Sequence, residues 1–416
     1  MTAPPLTVDT ATMTPLRRTD IRRTQDSRRT SNASVVLQAA LDHGPVARST
    51  IARLAGLSPA AVSRLCADLT AAGLLREVPG EAGPKGVGRP HVPVEVDTTR
   101  RVACGLHIAV KYATIALIDL RGRVIATETI DHAGPAPEHV LPRIARRIPA
   151  FIDEHAGGRV PLGLGVASGG WVDRAYGVIR ENTPLGWHGV AVRDLLAAAT
   201  GLPVHVDSHS RALARAEQMF GDARARSSVV HLFVGNVVDA AFATSGAVHH
   251  GPRSAAGSVA HLPLEGRSDP CSCGRRGCLQ AVVSDRALGL QAALAGIVPG
   301  PAFTALLAAA QGGDRRAVAL FHDRARQIGT AAALLLDLLN PELLVVTEAG
   351  AIFLPGCLDV LRHEVAARSR VCDDPGHCVV PTSFGAGVLP VAAGAVLLDA
   401  IYANPLGRDR TMPQAS

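Results

Sequence analysis

Aromatic residues and long hydrophobic runs are scarce in this sequence of 416 residues. Phe, Trp and Tyr make up 3% of the chain, whereas Gly (41) and Pro (28) are frequent. This balance favours an α/β protein built from Ala, Leu and Val over an aromatic-rich carbohydrate-binding β-sandwich. No uninterrupted apolar run reaches the ~18 residues of a membrane span, and the longest apolar segment is expected at 331–346. With 47% hydrophobic and 19% charged residues, the chain can form a large core, and its length suggests two or three domains.

A secretion signal and a disulfide framework are also missing. The N-terminus carries arginines but no apolar segment of the kind that directs secretion. Eight cysteines are too few for a disulfide scaffold in a chain of this length, and three of them fall between residues 271 and 278. We therefore expect a cytoplasmic protein. The five remaining cysteines are expected to be small core residues or inert thiols: Cys66, Cys104, Cys357, Cys372 and Cys378.

Positive charge is concentrated near the N-terminus. The formal net charge is +6, and residues 1–100 contain thirteen Lys and Arg against nine Asp and Glu. A basic terminal segment suggests a polyanionic partner such as nucleic acid, although a solvated arginine-rich tail has the same composition. Residues 1–30 are rich in Thr, Pro and Arg without a hydrophobic period, and they are predicted to form a disordered basic tail.

Residues 31–98 have the pattern of a winged helix-turn-helix. A first helix begins at Ser31, and a second begins near Ser49 and ends before Gly56. Ser58 and Pro59 are suited to cap and start a third helix. One face of that helix is apolar, with residues at i, i+3, i+4 and i+7: Val62, Leu65, Cys66 and Leu69. Two strands, 74–78 and 91–96, follow around a loop rich in Gly, Pro and Lys.

The exposed N-terminal end of the third helix is the predicted DNA reader. A recognition helix must present small or hydrogen-bonding side chains to base edges in the major groove of double-stranded DNA. The residues predicted to do so are Ser58, Ala60, Ala61, Ser63 and Arg64. Arg64 is the expected base reader, and Arg89 in the wing is expected to contact phosphates or the minor groove. The alternative is a trio of helices that merely caps an enzyme domain.

Residues 101–402 are predicted to form a second, α/β domain, followed by a flexible tail at 403–416. Strands are expected at 102–120 (two), 162–167, 204–206, 229–234 and 343–346, with helices at 210–220 and 314–339. Two rounds of strands followed by a helix indicate a duplicated fold with a cleft between its halves.

A cluster of soft metal ligands lies in the second half of this domain. Three thiolates and one imidazole satisfy a closed tetrahedral zinc site. Gly274 and Gly277 allow the tight turns that return the third sulfur to the same ion. We therefore predict one structural zinc, held by His261, Cys271, Cys273 and Cys278.

The cysteine motif, the stretch Gly-Leu-Gly-Val-Ala-Ser-Gly-Gly-Trp-Val-Asp at 163–173 and Leu-Gly-Trp at 185–187 resemble the ROK family (repressors, open reading frames and sugar kinases). With the winged helix in front, the chain from about Ser31 resembles a ROK transcriptional regulator. The resemblance implies two lobes of the actin-like, hexokinase-like kind, often paired into dimers. We therefore expect a homodimer or a higher homo-oligomer, in which closure of the lobes on a ligand changes the spacing of two winged helices.

The resemblance also implies that phosphoryl transfer has been lost. The family's opening Asp-x-Gly-Gly-Thr turn matches His-Ile-Ala-Val-Lys at 107–111, and its Gly-Thr-Gly turn matches Gly-Asn-Val at 235–237. The catalytic Asp matches His209, and the adenosine-side Gly-Gly-Gly matches Glu-Ala-Gly at 348–350. Without these groups ATP-dependent catalysis is not expected, so the chain is predicted not to be an enzyme. The alternative is a sugar kinase with an appended helical domain.

At the positions that hold the sugar in the family, this chain has mostly neutral residues. They are Ser208, His209, Ser258, His261 and Gln280, and they are predicted to line an effector site. The function expected from the resemblance is a transcriptional repressor of carbohydrate-related genes that senses a sugar or a sugar phosphate. A regulator whose effector site is dead and whose second domain only dimerises is the other alternative.

Overall fold

The chain divides into two compact units with a boundary between Val96 and Asp97, and Tyr402–Arg408 belongs with the first unit. The structure is a computed structural model that describes residues 18–78 and 92–407, with side chains from residue 31 onward. Residues 1–17 and 408–416, parts of the two predicted tails, lie outside the described residues. The predicted tail residues 403–407 are described, and Ala403 is the last residue of a helix.

The first unit contains three helices and a two-stranded sheet. Their bounds are α1 (Arg18–His43), α2 (Arg48–Ala55), α3 (Pro59–Ala71), β1 (Leu75–Glu77) and β2 (Val94–Val96). Helix α1 begins well before the expected start at Ser31, so residues 18–30 are helical and the predicted disorder of that stretch is wrong. Its Arg and Gln residues have high helix propensity, and a helix that has already nucleated extends without an apolar face.

Helix α3 forms as its sequence predicts. The hydroxyl of Ser58 accepts a hydrogen bond from the Ala61 N–H at 3.3 Å, and Pro59 occupies the first turn. The predicted apolar face is the buried one, and it packs against α1 and α2. Strands β1 and β2 pair antiparallel, with Leu75 opposite Val96. The loop between them, including Arg89, lies outside the described residues.

The second unit contains the remaining strands and α-helices, except that the last two residues of the final helix, Tyr402 and Ala403, fall in the first unit. Its strands are β3 (Arg101–Ile108), β4 (Tyr112–Ile118), β5 (Val124–Asp131), β6 (Val160–Ser168), β7 (Trp171–Asp173), β8 (Val178–Asn182), β9 (Trp187–Val190), β10 (Val204–Ser208), β11 (Ser228–Val234), β12 (Val238–Thr244), β13 (Ala247–Val248), β14 (Leu343–Glu348) and β15 (Val379–Pro381). Its helices are α4 (Pro137–His155), α5 (Val192–Thr200), α6 (His209–Phe220), α7 (Leu279–Val283), α8 (Asp285–Leu294), α9 (Phe303–Gln311), α10 (Arg315–Leu339), α11 (Ala349–Phe353), α12 (Cys357–Arg368), α13 (Pro375–Cys378) and α14 (Val388–Ala403).

Two five-stranded sheets repeat one topology, which confirms the predicted duplication. The strand orders are β5-β4-β3-β6-β10 and β13-β12-β11-β14-β15. In each sheet the first three strands are antiparallel, and the last two run parallel to the third. A smaller antiparallel sheet, β7-β8-β9, follows β6. We call residues 101–208 the first lobe and residues 228–383 the second lobe.

Helix α6 lies between the two large sheets and is buried along most of its length. Leu213 belongs to a core cluster with Ala167 of β6, whereas Ala214 belongs to a cluster with Val229 of β11 and Leu343 of β14. Helices α4 and α5 cover the other face of the first sheet, and α7, α10 and α12 cover the other face of the second. The start of α6 is therefore fixed by the cores of both lobes.

Helix α14 rests directly on the first sheet. A Cβ at Gly105 of β3 would lie 2.8 Å from the Gly394 nitrogen, and one at Gly165 of β6 would lie 2.3 Å from the Ala393 oxygen. Within the described residues, Gly385–Ala403 is the one helical segment long and apolar enough to cross a membrane, but most of it is buried as in a core helix. Residues 385–403 contain a longer apolar run than residues 331–346, so the expectation that 331–346 is the longest apolar segment is wrong. The run is hard to recognise in the sequence because it contains many Gly and Ala residues.

One pair of cysteines also corrects the sequence reading. Cys372 and Cys378, expected to be isolated thiols, are joined in a disulfide. The short helix α13, capped by the Asp374 side chain, turns the chain back between them. Cys66, Cys104 and Cys357 are buried, as expected of small core residues.

Candidate metal centre and interlobe cleft

The predicted metal ligands lie on a loop that connects β13 to α7 in the second lobe. Gly277 has φ +67°, and a Cβ there would lie 2.4 Å from the Arg267 oxygen, so only glycine fits. Gly274 has φ +83°, which is also a conformation that favours glycine. The two glycines thus supply the turns that the spacing of the cysteines requires.

The four predicted ligand side chains meet at one place. The Nδ1 atom of His261 lies 3.6 Å from the Cys271 Sγ atom, and the Sγ atoms of Cys273 and Cys278 lie 3.7 Å apart. All four donor atoms lie within 4.8 Å of one another. A donor set this compact is suited to hold a single metal ion.

The surroundings of two of these thiols shift their pKa values in opposite directions. The backbone N–H and the guanidinium of Arg275 lower the pKa of the exposed Cys273 thiol to about 7. Burial raises the pKa of Cys278 to about 11. One thiolate is therefore favoured by neighbouring donors, whereas the other needs a cation to offset its desolvation.

The predicted effector residues Ser208 and His209 lie at the start of α6. The Ser208 hydroxyl caps the helix by accepting the Arg211 N–H at 3.3 Å. The His209 ring packs on Phe233 of β11, with centroids 4.0 Å apart, and stacks nearly parallel on His107 of β3 at 5.9 Å. The two histidines that were expected to replace family aspartates therefore lie opposite each other.

Both of these imidazoles are buried without hydrogen-bond partners among the described residues. His107 and His209 are each 3% exposed, and none of their ring nitrogens bonds to a residue that the structure describes. Burial lowers the pKa of His107 to about 4. Burial and, to a smaller extent, repulsion from His107 lower the pKa of His209 well below its usual range. Both rings are therefore neutral at physiological pH.

Gln280 braces the loop that lies against His209. Its Oε1 accepts the Val238 N–H at 2.8 Å, and its Nε2 donates to the Asn236 carbonyl at 2.8 Å. A Cβ at Gly169, at the end of β6, would lie 2.9 Å from Val237 and 3.1 Å from His209. The cleft is thus closely packed at this point, and the amide of Gln280 is already engaged by backbone.

Arg211 ties the two lobes together. Its guanidinium donates to Asp207 at 2.7 Å, to the Val172 carbonyl of the first lobe at 2.7 Å and to the Ser254 carbonyl of the second at 2.9 Å. Nearby, burial raises the pKa of Asp239 to about 7, although Arg211 opposes the shift. This buried cation offsets much of the negative charge at the start of α6.

The remaining predicted residues are more dispersed. Ser258 is exposed on the loop before the metal ligands, and His261 is half-buried at the metal cluster. The structure therefore gathers His209 and Gln280 around residues 235–238, whereas Ser258 lies on the surface. Sequence reasoning did not assign roles to His107 or Arg211. The expected match of both His107 and His209 to family aspartates was the available signal for His107.

In the first unit the predicted DNA-reading residues lie on the outer face of α3. Ser58, Ala60, Ser63 and Arg64 are exposed, and Ala61 is half-buried. The opposite face of the helix carries the core residues. Arg89 lies outside the described residues.

Comparison with known proteins identifies the second unit. The sequence profile described as "ROK family" matches residues 103–383, more than half of the chain. The chain belongs to the ROK family. As a ROK protein it has the two-lobed α/β fold expected from its motifs, with a winged helix-turn-helix in front.

Curated relatives of this ROK protein include transcriptional regulators. Transcriptional regulator Rv0485 of Mycobacterium tuberculosis is 35% identical over 391 residues, which cover 91% of this chain and 87% of the relative. The DNA-binding transcriptional repressor Mlc of Escherichia coli is 26% identical over 404 residues, covering 92% of this chain and 96% of Mlc.

Solved structures show the same fold. A ROK family transcriptional regulator described as a homologue of the Escherichia coli Mlc protein matches with a TM-score of 0.76 at 24% identity, covering 91% of this chain and 98% of its own. A ROK family glucokinase from Streptomyces griseus, in complex with glucose and AMPPNP, matches with a TM-score of 0.62 at 23% identity, covering 70% and 98%. The lobes are therefore shared by regulators and kinases, and the fold alone does not choose between them.

Proposed function

We propose that this protein is a DNA-binding transcriptional regulator, a repressor of carbohydrate-related genes. The observation that carries the proposal is the exposed N-terminal face of α3 on a winged-helix unit that precedes a ROK module. Relatives that are named as a transcriptional regulator and as a DNA-binding repressor support it. The partner is double-stranded DNA.

The DNA interface is assigned to the outer face of α3. Ala60 and Ala61 are small enough to let the helix enter the major groove closely, and Ser58 and Ser63 offer hydroxyls nearby. Arg64 reads a guanine through two parallel N–H donors. Arg89 in the wing contacts phosphates or the minor groove and thereby contributes to salt dependence more than to sequence preference.

The test is selection of bound DNA from a random pool with the full chain, followed by affinity measurements on Arg64→Ala. We expect a loss of about 1–3 kcal/mol and relaxed preference at one position per half-site. Arg143→Ala, which removes an exposed arginine of α4 in the second unit, is the matched control. Unchanged affinity and selectivity in Arg64→Ala, or a pool without a preferred sequence, would contradict the proposed interface.

The metal proposed for the cluster is structural zinc, one per chain. In a tetrahedron with Zn–S bonds of about 2.3 Å and a Zn–N bond of about 2.05 Å, S···S edges are about 3.8 Å and S···N edges about 3.6 Å. Two of the six donor separations, 3.7 Å and 3.6 Å, fit these values, and all six lie within 4.8 Å. His261, Cys271, Cys273 and Cys278 would fill all four positions, which leaves no open position for catalysis.

Metal analysis of the reduced, purified protein tests this assignment. We expect about one equivalent of zinc per chain, bound by a closed site. Fully soluble protein with less than about half an equivalent, or with a different metal, would contradict it.

The ROK module is proposed not to be a kinase. Next to the stretches that match two of the family's nucleotide turns, 235–237 and 348–350, a buried arginine is engaged by protein groups: Arg324 donates to Asp285 at 2.7 Å and to the Val234 carbonyl at 3.3 Å. It also pairs with Glu348 at 3.3 Å. The position of the catalytic aspartate holds His209, whose ring is neutral and buried.

Assay of ATP turnover with a panel of hexoses checks this point. We expect no turnover above that of protein-free buffer. Sustained turnover that is lost in His209→Ala would establish the sugar-kinase alternative instead.

The proposed effector is a sugar or sugar phosphate bound between the lobes. Ser208, His209, Ser258, His261 and Gln280 match the family's sugar contacts, and three of these positions have lost a carboxylate. A neutral or cationic cleft tolerates an anionic ligand better than a carboxylate-lined one.

Titration calorimetry with matched neutral and phosphorylated sugars decides the effector class. We expect tighter binding of a phosphorylated sugar and weakening in His209→Ala. A preference for a neutral hexose that His209→Ala leaves unchanged would refute the anionic class. No binding by any sugar, with DNA binding intact, would favour a module that only dimerises.

Assembly and location complete the proposal. The regulator is proposed to be a cytoplasmic homodimer or higher homo-oligomer, since two winged helices are needed to read a two-fold symmetric operator. Sedimentation of the full chain with and without operator DNA tests this. A protein that stays monomeric with and without operator DNA, and still binds the operator specifically, would contradict the proposed assembly.

A further inference from the structure

We infer that Cys372 and Cys378 form a redox-reversible disulfide, a modification site separate from the metal cluster. The two sulfurs are bonded across a loop that joins α12 to the edge strand β15. None of the proposed DNA, metal or effector residues lies in this loop. Its chemistry requires only an oxidant and a reductant of ordinary cellular type, such as hydrogen peroxide and a low-molecular-weight thiol.

The pair is accessible, unlike the cysteines of the core. Both cysteines are half-buried and line a surface cavity of about 280 Å³, whose lining also includes Asp373, Asp374 and His377. Cys104 and Cys357 are buried, and burial raises the pKa of each to about 12. Since the thiolate is the reactive form, those two thiols are poorly reactive. Outside the metal cluster, Cys372 and Cys378 are therefore the cysteines that a small oxidant reaches among the described residues.

The oxidation balances with one peroxide per pair. One thiolate attacks a peroxide oxygen, the O–O bond breaks, and a sulfenic acid forms while the released hydroxide takes up a proton to give water. The second thiolate attacks the sulfenic sulfur, the S–O bond breaks, and a second water leaves. Two electrons pass from the thiols to the peroxide. A low-molecular-weight thiol reverses the reaction by two exchange steps, in which its own disulfide is formed.

The loop that carries the cysteines is anchored at both ends. Upstream, the Asp337 carboxylate of α10 accepts the Ser369 hydroxyl at 2.6 Å and the Arg370 N–H at 2.9 Å. Downstream, the Arg224 guanidinium donates to the His377 carbonyl at 2.8 Å. These bonds do not depend on the disulfide, so reduction leaves the two thiols close together and ready to pair again.

A short series of contacts connects the disulfide to the interlobe cleft. Cys378 directly precedes β15, which pairs parallel with β14. Directly after β15, Thr382 and Ser383 bind the buried Glu217 of α6: their hydroxyls donate to its carboxylate at 2.8 Å and 2.6 Å. The other end of α6 carries Ser208 and His209. Oxidation is therefore expected to restrain β15 and, through Glu217, the helix that borders the cleft.

Peptide mapping of the folded full chain tests whether the bond forms. The protein is equilibrated with a reducing thiol or with hydrogen peroxide, alkylated, digested and analysed by mass spectrometry, while released zinc is followed with a chromogenic chelator. We expect alkylation of Cys372 and Cys378 to fall by about tenfold or more on oxidation, with a linked peptide that reverts on reduction. The linked peptide should form before zinc is released.

Three outcomes would overturn the inference: equal alkylation in both states, separate over-oxidation of the two sulfurs, or disulfides that form first among Cys271, Cys273 and Cys278. The double variant Cys372→Ser/Cys378→Ser should fold and bind operator DNA. Its melting temperature should no longer differ between reducing and oxidising buffer. Cys357→Ala, which removes another cysteine of the second lobe, should keep that difference.

Hydrogen exchange then tests the path to the cleft. In wild-type protein we expect slower amide exchange in residues 379–383 and 209–217 when the pair is oxidised, and no such change in the double variant. Linked peptide without any exchange difference in these two segments would refute the coupling to α6. This test needs no effector, so its result is independent of the proposed sensing function.

Discussion

The metal cluster and the interlobe cleft are both polar sites of the second unit, yet their side chains are used in opposite ways. At the cluster, four donor atoms face one another within 4.8 Å. In the cleft, the Gln280 amide is bonded to backbone on both sides, and the nitrogens of His107 and His209 face protein without a partner that the structure describes. At the cluster the donor atoms are turned towards one another, whereas in the cleft they are hydrogen-bonded to backbone or buried.

This difference predicts that the metal cluster contributes mainly to the stability of the second unit and that the cleft is the place for the proposed effector. With the proposed zinc bound, the cluster would gain free energy from the ion, and the loop around it would depend on that ion. A cleft with buried imidazoles is ordered by packing, and any effector must displace or reorganise neighbours such as Phe233. Removing a side chain should therefore have large effects at the cluster and smaller, pH-dependent effects in the cleft.

The largest expected effect is that of removing a metal ligand. Cys278→Ala should abolish stoichiometric zinc and destabilise the second unit by more than about 4 kcal/mol, because structural zinc contributes folding free energy directly. Metal analysis and urea unfolding measure both. Treatment with a chelator should bring wild-type protein to the variant's stability and should not destabilise the variant further. Additive effects of chelator and substitution would place the metal elsewhere.

The cluster was predictable because its ligands are local in sequence. One residue separates Cys271 from Cys273, and a four-residue stretch with two glycines separates Cys273 from Cys278, so no distant contact is needed to bring the three together. The same applies to α3, whose Ser-Pro start and apolar period are read from adjacent residues. The repeated order of strands and helices was likewise sufficient to predict the duplicated lobes.

The cleft was only partly predictable because its contacts join distant segments. His107 and His209 are 102 positions apart in the chain and stack because β3 and the start of α6 meet in the fold. Gln280 reaches the loop at 236–238 through packing of α7, which no local pattern encodes. The disulfide between Cys372 and Cys378 was missed although the spacing is short, since the turn at α13 depends on a cap by Asp374.

A smaller, pH-dependent effect is expected at His107. Its pKa is about 4 in the folded protein, against about 6.5 in an unfolded chain. The unfolded state therefore takes up a proton first as the pH falls. The contribution of His107 to stability is complete above about pH 6.5 and decreases by about 3 kcal/mol as the pH falls towards 4.

His107→Leu measures this contribution, since leucine fills similar space and the imidazole makes no hydrogen bond to any described residue that would be lost. Unfolding free energies of wild type and variant are compared between pH 4 and 8. We expect the variant to lose less stability than the wild type as the pH falls below about 6.5. Parallel pH profiles would show that His107 is hydrated and titrates normally, and would contradict the packed cleft.

The smallest expected effect decides whether Gln280 is a brace or a ligand. Gln280→Ala leaves the buried Val238 N–H and the Asn236 carbonyl without their partner, so we expect a loss of about 1–2 kcal/mol in unfolding free energy without any effector. Gln280→Glu keeps an acceptor for Val238 but cannot donate to Asn236 when ionised, so its loss should be intermediate. If both variants retain full stability while the affinity for a sugar phosphate falls, Gln280 contacts the effector directly. In that case the cleft resembles the metal cluster in presenting its polar atoms to a ligand.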